Sequence, residues 1–374
     1  MNNAIYGGVF DVPTNGHLQM IEKAARIFTH IDVLVAPNAA KSTSWFSVGE
    51  RIGMLKAAIK NLDPKYSIEV LKLPSHIYLA SFAKERGASF LVRGIRDIWD
   101  FSYEQNIYLT NRRIEPEIET IYLMPDQIYS MVSSSWVKSL VGCEKWTEIL
   151  RGQVPDCVLE KLVVRHLKAR FLKLMERMPG TYSANINTMC DHIFSSYKPF
   201  NDNSYHNLGH ILKCLEILDH YSHFINPVHR DTIELALWFH DIDPSEEKSA
   251  EILKTYMNCC ESVQLILATK HNTCEYENLL EQIIVSIDLW ALGGSYEEYT
   301  VYNKKVFAEY HAISGLSLKE FMPKWNVGRM QFLEKMRKRR CIYPWNVIAD
   351  IREEQALSNM QMEYSLLEFN KNNS

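Results

Sequence analysis

Residues 6–17 read Y-G-G-V-F-D-V-P-T-N-G-H. The β-rich Ala4-Ile5-Tyr6 leads into the pair Gly7-Gly8, and His17 opens an apolar-periodic stretch, H-L-Q-M-I-E-K-A-A-R-I-F. The stretch therefore reads as strand, turn and helix start. Glycines let a backbone approach a ligand closely, and a helix N-terminus offers unpaired N–H groups and a positive dipole end to phosphate. Asn15-Gly16-His17 sets an imidazole at that terminus. A glycine pair alone also fits an ordinary turn and N-cap, so its surroundings decide.

Outward from this stretch the pattern repeats. Further β-rich runs are I-D-V-L-V-A (31–36), S-I-E-V-L-K-L (67–73), S-F-L-V-R (89–93) and I-E-T-I-Y-L-M (118–124). Between them lie segments with apolar residues near i, i+3, i+4 and i+7, the period of a helix. Such alternation predicts an α/β fold: a doubly wound parallel five-stranded sheet with right-handed crossovers. Ligands of such sheets sit at the carboxyl ends of the strands. From Val154 onward the periodic segments are helical only, broken at 178–181, 197–203 and 292–295. The change of pattern predicts one domain over 1–162 and an all-α domain over 163–370, with a frayed tail.

The whole chain sets bounds on this reading. Its 374 residues are enough for two domains, and 47% apolar with 23% charged residues is a globular composition. No apolar run approaches the roughly 18 residues that span a bilayer, so no membrane association is expected. A net charge of −4 argues against broad nucleic-acid binding. Eight scattered cysteines without a C-x-x-C predict reduced thiols in a cytoplasm.

Several charged and polar residues share the carboxyl ends of the strands. Lys41 follows the second, Arg93-Gly94-Ile95-Arg96 the fourth, and Ser133-Ser134-Ser135 opens the last helix of the domain after the fifth. Two arginines, a lysine, a histidine and two helix starts on one rim make a polyphosphate site.

The 6–17 motif, R-G-I-R (93–96), D-F-S-Y-E (100–104), N-R-R (111–113) and Y-L-M-P…V-S-S-S-W-V-K (122–138) together resemble phosphopantetheine adenylyltransferase, from Ala4 to about Leu162. The resemblance implies joining of ATP, with Mg²⁺, to 4′-phosphopantetheine, giving dephospho-CoA and pyrophosphate, in a homo-oligomer. It implies that His17 stabilises charge at the α-phosphate, and that Lys41 and Arg93 hold the reactants' phosphates. Gly8, Phe10, Arg96, Glu104 and Ser133 to Ser135 would surround ATP, and Asp11 would shape the turn. The chain departs from the family at Val9, where a Thr or Ser hydroxyl contacts the attacking phosphate. Loss of a hydrogen bond to a charged group, about 1.5–3 kcal/mol, slows transfer roughly 10–150-fold. Gly7 also replaces a usual proline, and Val12-Pro13 shifts the proline by one place.

The second half carries Y-H-N-L-G-H (205–210), W-F-H-D-I-D (238–243), T-K-H-N (269–272) and I-I-V-S-I-D-L-W-A-L (283–292). Asp288, within so apolar a run, predicts a buried carboxylate that needs a cation. His240-Asp241 supply N and O ligands at a helix end, and His206 and His210 are read as one turn apart on another helix. Such donors suit a divalent transition metal, Mn²⁺, Fe²⁺, Zn²⁺ or Ni²⁺. The pattern resembles the HD superfamily of metal-dependent phosphohydrolases, over about Val164 to Leu366, with Gly328-Arg329 and Phe332-Leu333 as a later motif. The resemblance assigns His210, His240, Asp241 and Asp288 to the metal, and Glu247, His206 and His271 to supporting or acid–base roles. Phe307 stands where the subgroup usually has an arginine.

The favoured reading is a cytoplasmic bifunctional enzyme. Its rivals are adenylyl transfer to another phosphate such as a nicotinamide mononucleotide, a nucleotide-sensing domain that gates the hydrolase, and a scaffold.

Overall fold

The computed structural model describes residues 2–37, 44–96, 98–178, 185–271, 275–276 and 278–372. Residue contacts divide the chain into two compact units, Met1–Leu162 and Val163–Ser374.

In the first unit strands and helices alternate: β1 (Asn3–Gly8), α1 (Asn15–Ile27), β2 (His30–Val35), α2 (Val48–Ile59), β3 (Ile68–Lys72), α3 (Leu79–Glu85), β4 (Phe90–Gly94), α4 (Ile98–Ile114) and β5 (Glu119–Leu123). The strands form one parallel sheet in the order β3-β2-β1-β4-β5. The near-continuous apolar runs of β1, β2 and β4 follow from burial on both faces. Ala4, Tyr6, Ile31, Val33 and Val92 pack with Met20, Ile21 and Ala24 of α1 and Leu55 of α2. Ile5, Leu34 and Leu91 face the other way, onto Ala80 and Ala83 of α3. The period of two along each strand thus sorts side chains between two helical layers.

After β5 a 3₁₀ turn at Gln127–Tyr129 leads to α5 (Ser134–Leu140), α6 (Trp146–Leu150) and α7 (Asp156–Arg177), which ends in the second unit. The serine run therefore does not open the last helix of the first unit. Helix α6 follows because Trp146 and Leu150 are apolar enough to be buried. The 152–153 segment closes back on the opening motif: Asn15 N donates to Gln153 O at 2.9 Å and Asn15 Nδ2 to Gly152 O at 2.8 Å.

The second unit is helical: α8 (Ile186–Ser196), α9 (Leu208–His220), α10 (Pro227–Phe239), α11 (Glu246–Tyr256), α12 (Cys260–Ala268), α13 (Leu279–Asp288), a 3₁₀ turn at Leu289–Gly293, α14 (Tyr296–Ser314), α15 (Leu318–Arg337) and α16 (Asn346–Asn372). Helix α10 is buried continuously from Thr232 to Phe239, and α9, α11, α12 and α13 pack around it. A helix apolar on every side must lie at the centre of its bundle. Its buried acid, Glu234, is matched by Arg170 at 2.8 Å and Arg230 at 3.1 Å. The central helix ends at His240, which fixes where the W-F-H-D-I-D motif is presented. Among the described residues no helix is long and apolar enough to cross a membrane.

Candidate functional site

A cavity of about 600 Å³ opens in the first unit at the carboxyl ends of β1 and β4. These are the neighbours between which the strand order reverses, where open α/β sheets leave a crevice. Gly7, Gly8, Val9, Phe10, His17, Arg93, Arg96, Glu104 and Ser133 to Ser135 all line it. Of the residues expected there, Lys41 lies outside the described residues.

The T-N-G-H run is an unusual capping box. Thr14 is the N-cap of α1; its Oγ1 accepts His17 N–H at 3.3 Å, and Thr14 N–H donates to His17 Nδ1 at 3.0 Å. A backbone N–H can only donate, so Nδ1 is the acceptor and the imidazole proton sits on Nε2. Burial, helped by the charge of Arg96, pushes the His17 pKa down to about 4. The result is a neutral ring with a fixed N–H at a helix start. Phe10 holds a left-handed backbone, φ 51°, and its buried ring sits edge-on to His17 at 5.1 Å and to Tyr6 at 5.5 Å. A Cβ at Gly8 would lie 2.8 Å from that ring, and one at Gly7 2.8 Å from Leu79. The glycine pair thus makes room for protein side chains beneath the cavity as well as for an approach from above.

The cationic residues already have partners. Arg93 grips Glu104 through two 2.6 Å bonds and donates to Gly7 O at 2.8 Å. Arg96 grips Asp100 at 2.7 and 3.1 Å, and that hydrogen bond holds the Asp100 carboxyl below its ordinary range. Glu104 is therefore first a holder of Arg93. The serines divide their work: Ser133 caps α5 by accepting Trp136 N–H at 3.1 Å, and Ser134 donates to Val12 O at 2.6 Å. Ser135 Oγ lies 3.1 Å from Ser133 Oγ.

Asp11 shapes the loop, accepting Trp45 N–H at 3.0 Å and Phe46 N–H at 3.1 Å. It also pairs with Lys138, whose ammonium lies over the Trp45 ring, and both Lys138 and Trp45 line the cavity. Sequence reasoning passed over Lys138, although it lies one turn beyond Ser134 in the quoted V-S-S-S-W-V-K run and so shares a helix face with it. It also passed over Arg51, only 2% exposed, whose guanidinium donates to Val9 O at 2.5 Å and Ala36 O at 3.1 Å. The backbone of Val9 is thus fixed while its side chain, 37% exposed, stands in the cavity.

In the second unit α9, the end of α10 and the end of α13 bring His210, His240, Asp241 and Asp288 together. His210 Nε2 lies 3.2 Å from His240 Nε2, 3.3 Å from Asp241 Oδ2 and 3.4 Å from Asp288 Oδ1. His240 Nε2 lies 3.0 and 3.5 Å from the same two oxygens. Donors bound at about 2.0–2.2 Å to one ion stand roughly 2.9–3.5 Å apart at angles between 90° and tetrahedral. The measured spacings have that range. His240 Nδ1 faces Leu237 O at 3.0 Å; a carbonyl only accepts, so Nδ1 carries a proton and Nε2 is left toward the cluster. Among the described residues no hydrogen-bond donor is assigned to the buried Asp241 Oδ2. Burial opposes charge on both carboxyls, but the neighbouring imidazoles outweigh it and hold Asp241 and Asp288 well below the usual range. The balancing positive charge must come from protons on the imidazoles or from a cation that all four donors share. The donor set fits a divalent ion.

The neighbours differ from expectation in two places. His206 and His210 are not one turn apart on a helix: Asn207 is the N-cap of α9, accepting Gly209 and His210 N–H, so His206 lies before the helix. There its Nδ1 meets Glu309 at 2.9 Å and its Nε2 lies 3.9 Å from Asp241. Glu247 is not brought into the cluster: it pairs with Lys270 and accepts from Ser245 at 3.0 Å. The Lys270 hydrogen bond pushes its carboxyl down to about 2. His271 Nε2 meets Asp288 Oδ2 at 3.0 Å and orients that carboxylate. Arg329 of the later motif is buried against Glu363 and Asn303, tying α15 to α16 and α14. Phe307 packs on Phe321 and Trp325, both at 5.3 Å.

The Cytidylyltransferase-like family matches residues 5–140. Phosphopantetheine adenylyltransferase of Neisseria meningitidis serogroup C is 39% identical over 163 residues, 44% of this chain and 93% of that protein. The protein of that name from Dictyoglomus turgidum is 38% identical over 162 residues, 43% of this chain and 96% of its own length. The solved structure of Plasmodium falciparum nicotinic acid mononucleotide adenylyltransferase complexed with NaAD covers 44% of this chain and 95% of its own at 17% identity, with a TM-score of 0.35. Through its first unit, a five-stranded parallel sheet with a T-N-G-H helix start, the chain belongs to the phosphopantetheine adenylyltransferase family.

Proposed function

We propose that residues 1–162 transfer the adenylyl group of Mg²⁺-ATP to 4′-phosphopantetheine, and that residues 163–370 form an HD-type metal-dependent phosphohydrolase acting on a nucleotide or related phosphate. Family membership together with the neutral, Nε2-protonated His17 at the start of α1 supports the first part most strongly. A phosphate oxygen of the acceptor attacks the α-phosphorus in line, the bond to the β-phosphate oxygen breaks, and pyrophosphate leaves. His17 donates its Nε2 proton in a hydrogen bond to the α-phosphate as charge builds there. Arg93 and Arg96, pre-oriented by Glu104 and Asp100, hold phosphate oxygens, and by the resemblance Lys41 bridges the reactants. The residues need only position and neutralise; no covalent intermediate is involved.

The converging His210, His240, Asp241 and Asp288 support the second part. His210, His240, Asp241 and Asp288 would hold a divalent ion, which would supply positive charge to lower the pKa of a water and polarise a phosphate. His271 would fix Asp288, and His206, tied to Glu309, would exchange a proton beside Asp241. The cysteine pattern carries a cytoplasmic location, and family membership a homo-oligomer, into the same reading.

Val9 favours a second reading of the first part, in which the acceptor is a different phosphate. The deciding experiment incubates full-length protein with ATP, Mg²⁺ and 4′-phosphopantetheine, beside an Asp241→Ala variant that keeps product from being hydrolysed. Pyrophosphate and dephospho-CoA in equal amounts establish the transfer. ATP binding without product moves the search to other acceptors, and nicotinamide mononucleotide comes first.

A further inference from the structure

Cys214 lies one turn beyond His210 on α9 and is 1% exposed. Its Sγ is 3.6 Å from His210 Nε2 and 3.8 Å from His210 Nδ1. Donor atoms of His210, Cys214 and His240 all fall within 4.8 Å of one another, and all three residues are buried. Residues at i and i+4 share a helix face, so His210 and Cys214 are presented to the same place. The hydrolytic role given above makes no use of this thiol.

We propose that Cys214 is a further metal donor, giving the centre a second donor set, His210–Cys214–His240, beside the set completed by Asp241 and Asp288. The inference rests on reading the cluster as a metal centre. The two sets share their imidazoles and differ in softness: carboxylate oxygen suits Mn²⁺ and Mg²⁺, whereas thiolate draws Zn²⁺ and other thiophilic ions. Nitrogen and sulfur donors held tetrahedrally, at about 2.0–2.1 and 2.3 Å from one ion, stand roughly 3.6 Å apart. Sγ and His210 Nε2 already have that separation. The similar distance to Nδ1 puts the sulfur beside the ring, off the Nε2 lone-pair axis, so coordination requires the thiol to turn toward that axis. Coordination displaces the thiol proton to solvent. The centre is then selective by construction, holding a thiophilic ion in preference to a hard one.

The test loads chelator-stripped, full-length protein with Co²⁺ alone, in wild type, Cys214→Ser and Cys214→Ala. Cobalt d–d bands report occupancy, and a near-ultraviolet thiolate-to-cobalt band reports sulfur coordination. Both are expected in wild type and only the d–d bands in the variants. Competitive loading with equal Zn²⁺ and Mn²⁺, read by metal analysis, should show the Zn²⁺ preference falling about 10–100-fold in Cys214→Ser. Wild type with d–d bands and no thiolate band overturns the Cys214 assignment and leaves the metal centre standing. A thiolate band that survives in Cys214→Ser, while circular dichroism shows native fold, assigns the sulfur to another cysteine and also overturns it. Wild type that takes up no cobalt overturns both readings at once.

Discussion

The two sites of this chain solve opposite charge problems. Around the cavity of the first unit, Arg93 and Arg96 face the space where an anion would enter, and each is held beforehand by a carboxylate, Glu104 or Asp100. In the second unit, two imidazoles and two carboxylates point at one spot, and Asp241 Oδ2 has no hydrogen-bond donor among the described residues. The first is a balanced site that orients its cations; the second gathers carboxylates whose charge must be matched by imidazole protons or by a cation. The difference teaches that preorganisation takes different forms. A phosphate clamp can be rigid before substrate arrives, whereas a metal site stays electrostatically incomplete until its ion binds.

The comparison breaks most visibly if the second site can do without an ion. Asp288→Asn should lower bound transition metal from about one per chain to less than roughly a tenth, by metal analysis, because a ligand and its charge are both lost. Adenylyl transfer by the same variant should be unchanged. Unaltered metal content would remove Asp288 from the centre.

Next in size is His17. His17→Ala should lower kcat for adenylyl transfer about 10²–10³-fold, the usual loss when one preorganised transition-state donor is deleted, while ATP still binds. Equal activity in the variant would remove His17 from the transfer, whereas no pyrophosphate from either protein would leave the first unit as a nucleotide sensor.

Val9→Thr sharpens the reading of the cavity. Restoring a hydroxyl on a backbone already fixed by Arg51 should raise transfer to 4′-phosphopantetheine by about 10–150-fold. A variant no faster than wild type in a kcat/KM comparison points to a different acceptor.

Glu104→Gln tests how far the clamp is preset. Arg93 would lose its bidentate partner while remaining mostly buried, and unfolding in urea should show a loss of about 1–3 kcal/mol. No change in midpoint would make the pair dispensable to the fold.

The smallest effect concerns pH. His17 has a folded pKa of about 4 against an unfolded value near 6.5. Between these values the unfolded chain binds more protons, so the contribution of His17 to stability is complete above about 6.5 and is lost as pH falls through about 4. NMR titration of the His17 ring should accordingly give a midpoint near 4. A midpoint near 6.5 would mean an exposed imidazole, ionised in mild acid.

How far these sites were legible depended on whether their parts were local. The strand and helix around 6–17 could be read because an extended apolar run gives way to a period of 3.6, although Gly7-Gly8, read as the turn, close the strand itself. His240-Asp241 could be read because they end an apolar helix. The position of His206 could not: Asn207 competes with helix continuation by taking the first free N–H groups for its own side chain. The partner of Glu247 could not be read either, since Lys270 lies far along the chain. Lys138 and Arg51 escaped notice because their roles involve partners far off in the chain, Asp11 and Val9.

By itself, then, the sequence determined the alternation of strand and helix, the strand ends that carry Gly7-Gly8 and Arg93, and the donor types of the second unit. These follow from residue spacing and residue chemistry, which are local. Only the tertiary structure decided that Arg93 is gripped by Glu104, that Thr14 fixes the proton of His17 on Nε2, and that Cys214 stands beside His210 near His240. Side-chain direction, burial and the choice among competing partners depend on which elements pack together, and that information exists only after the chain has folded.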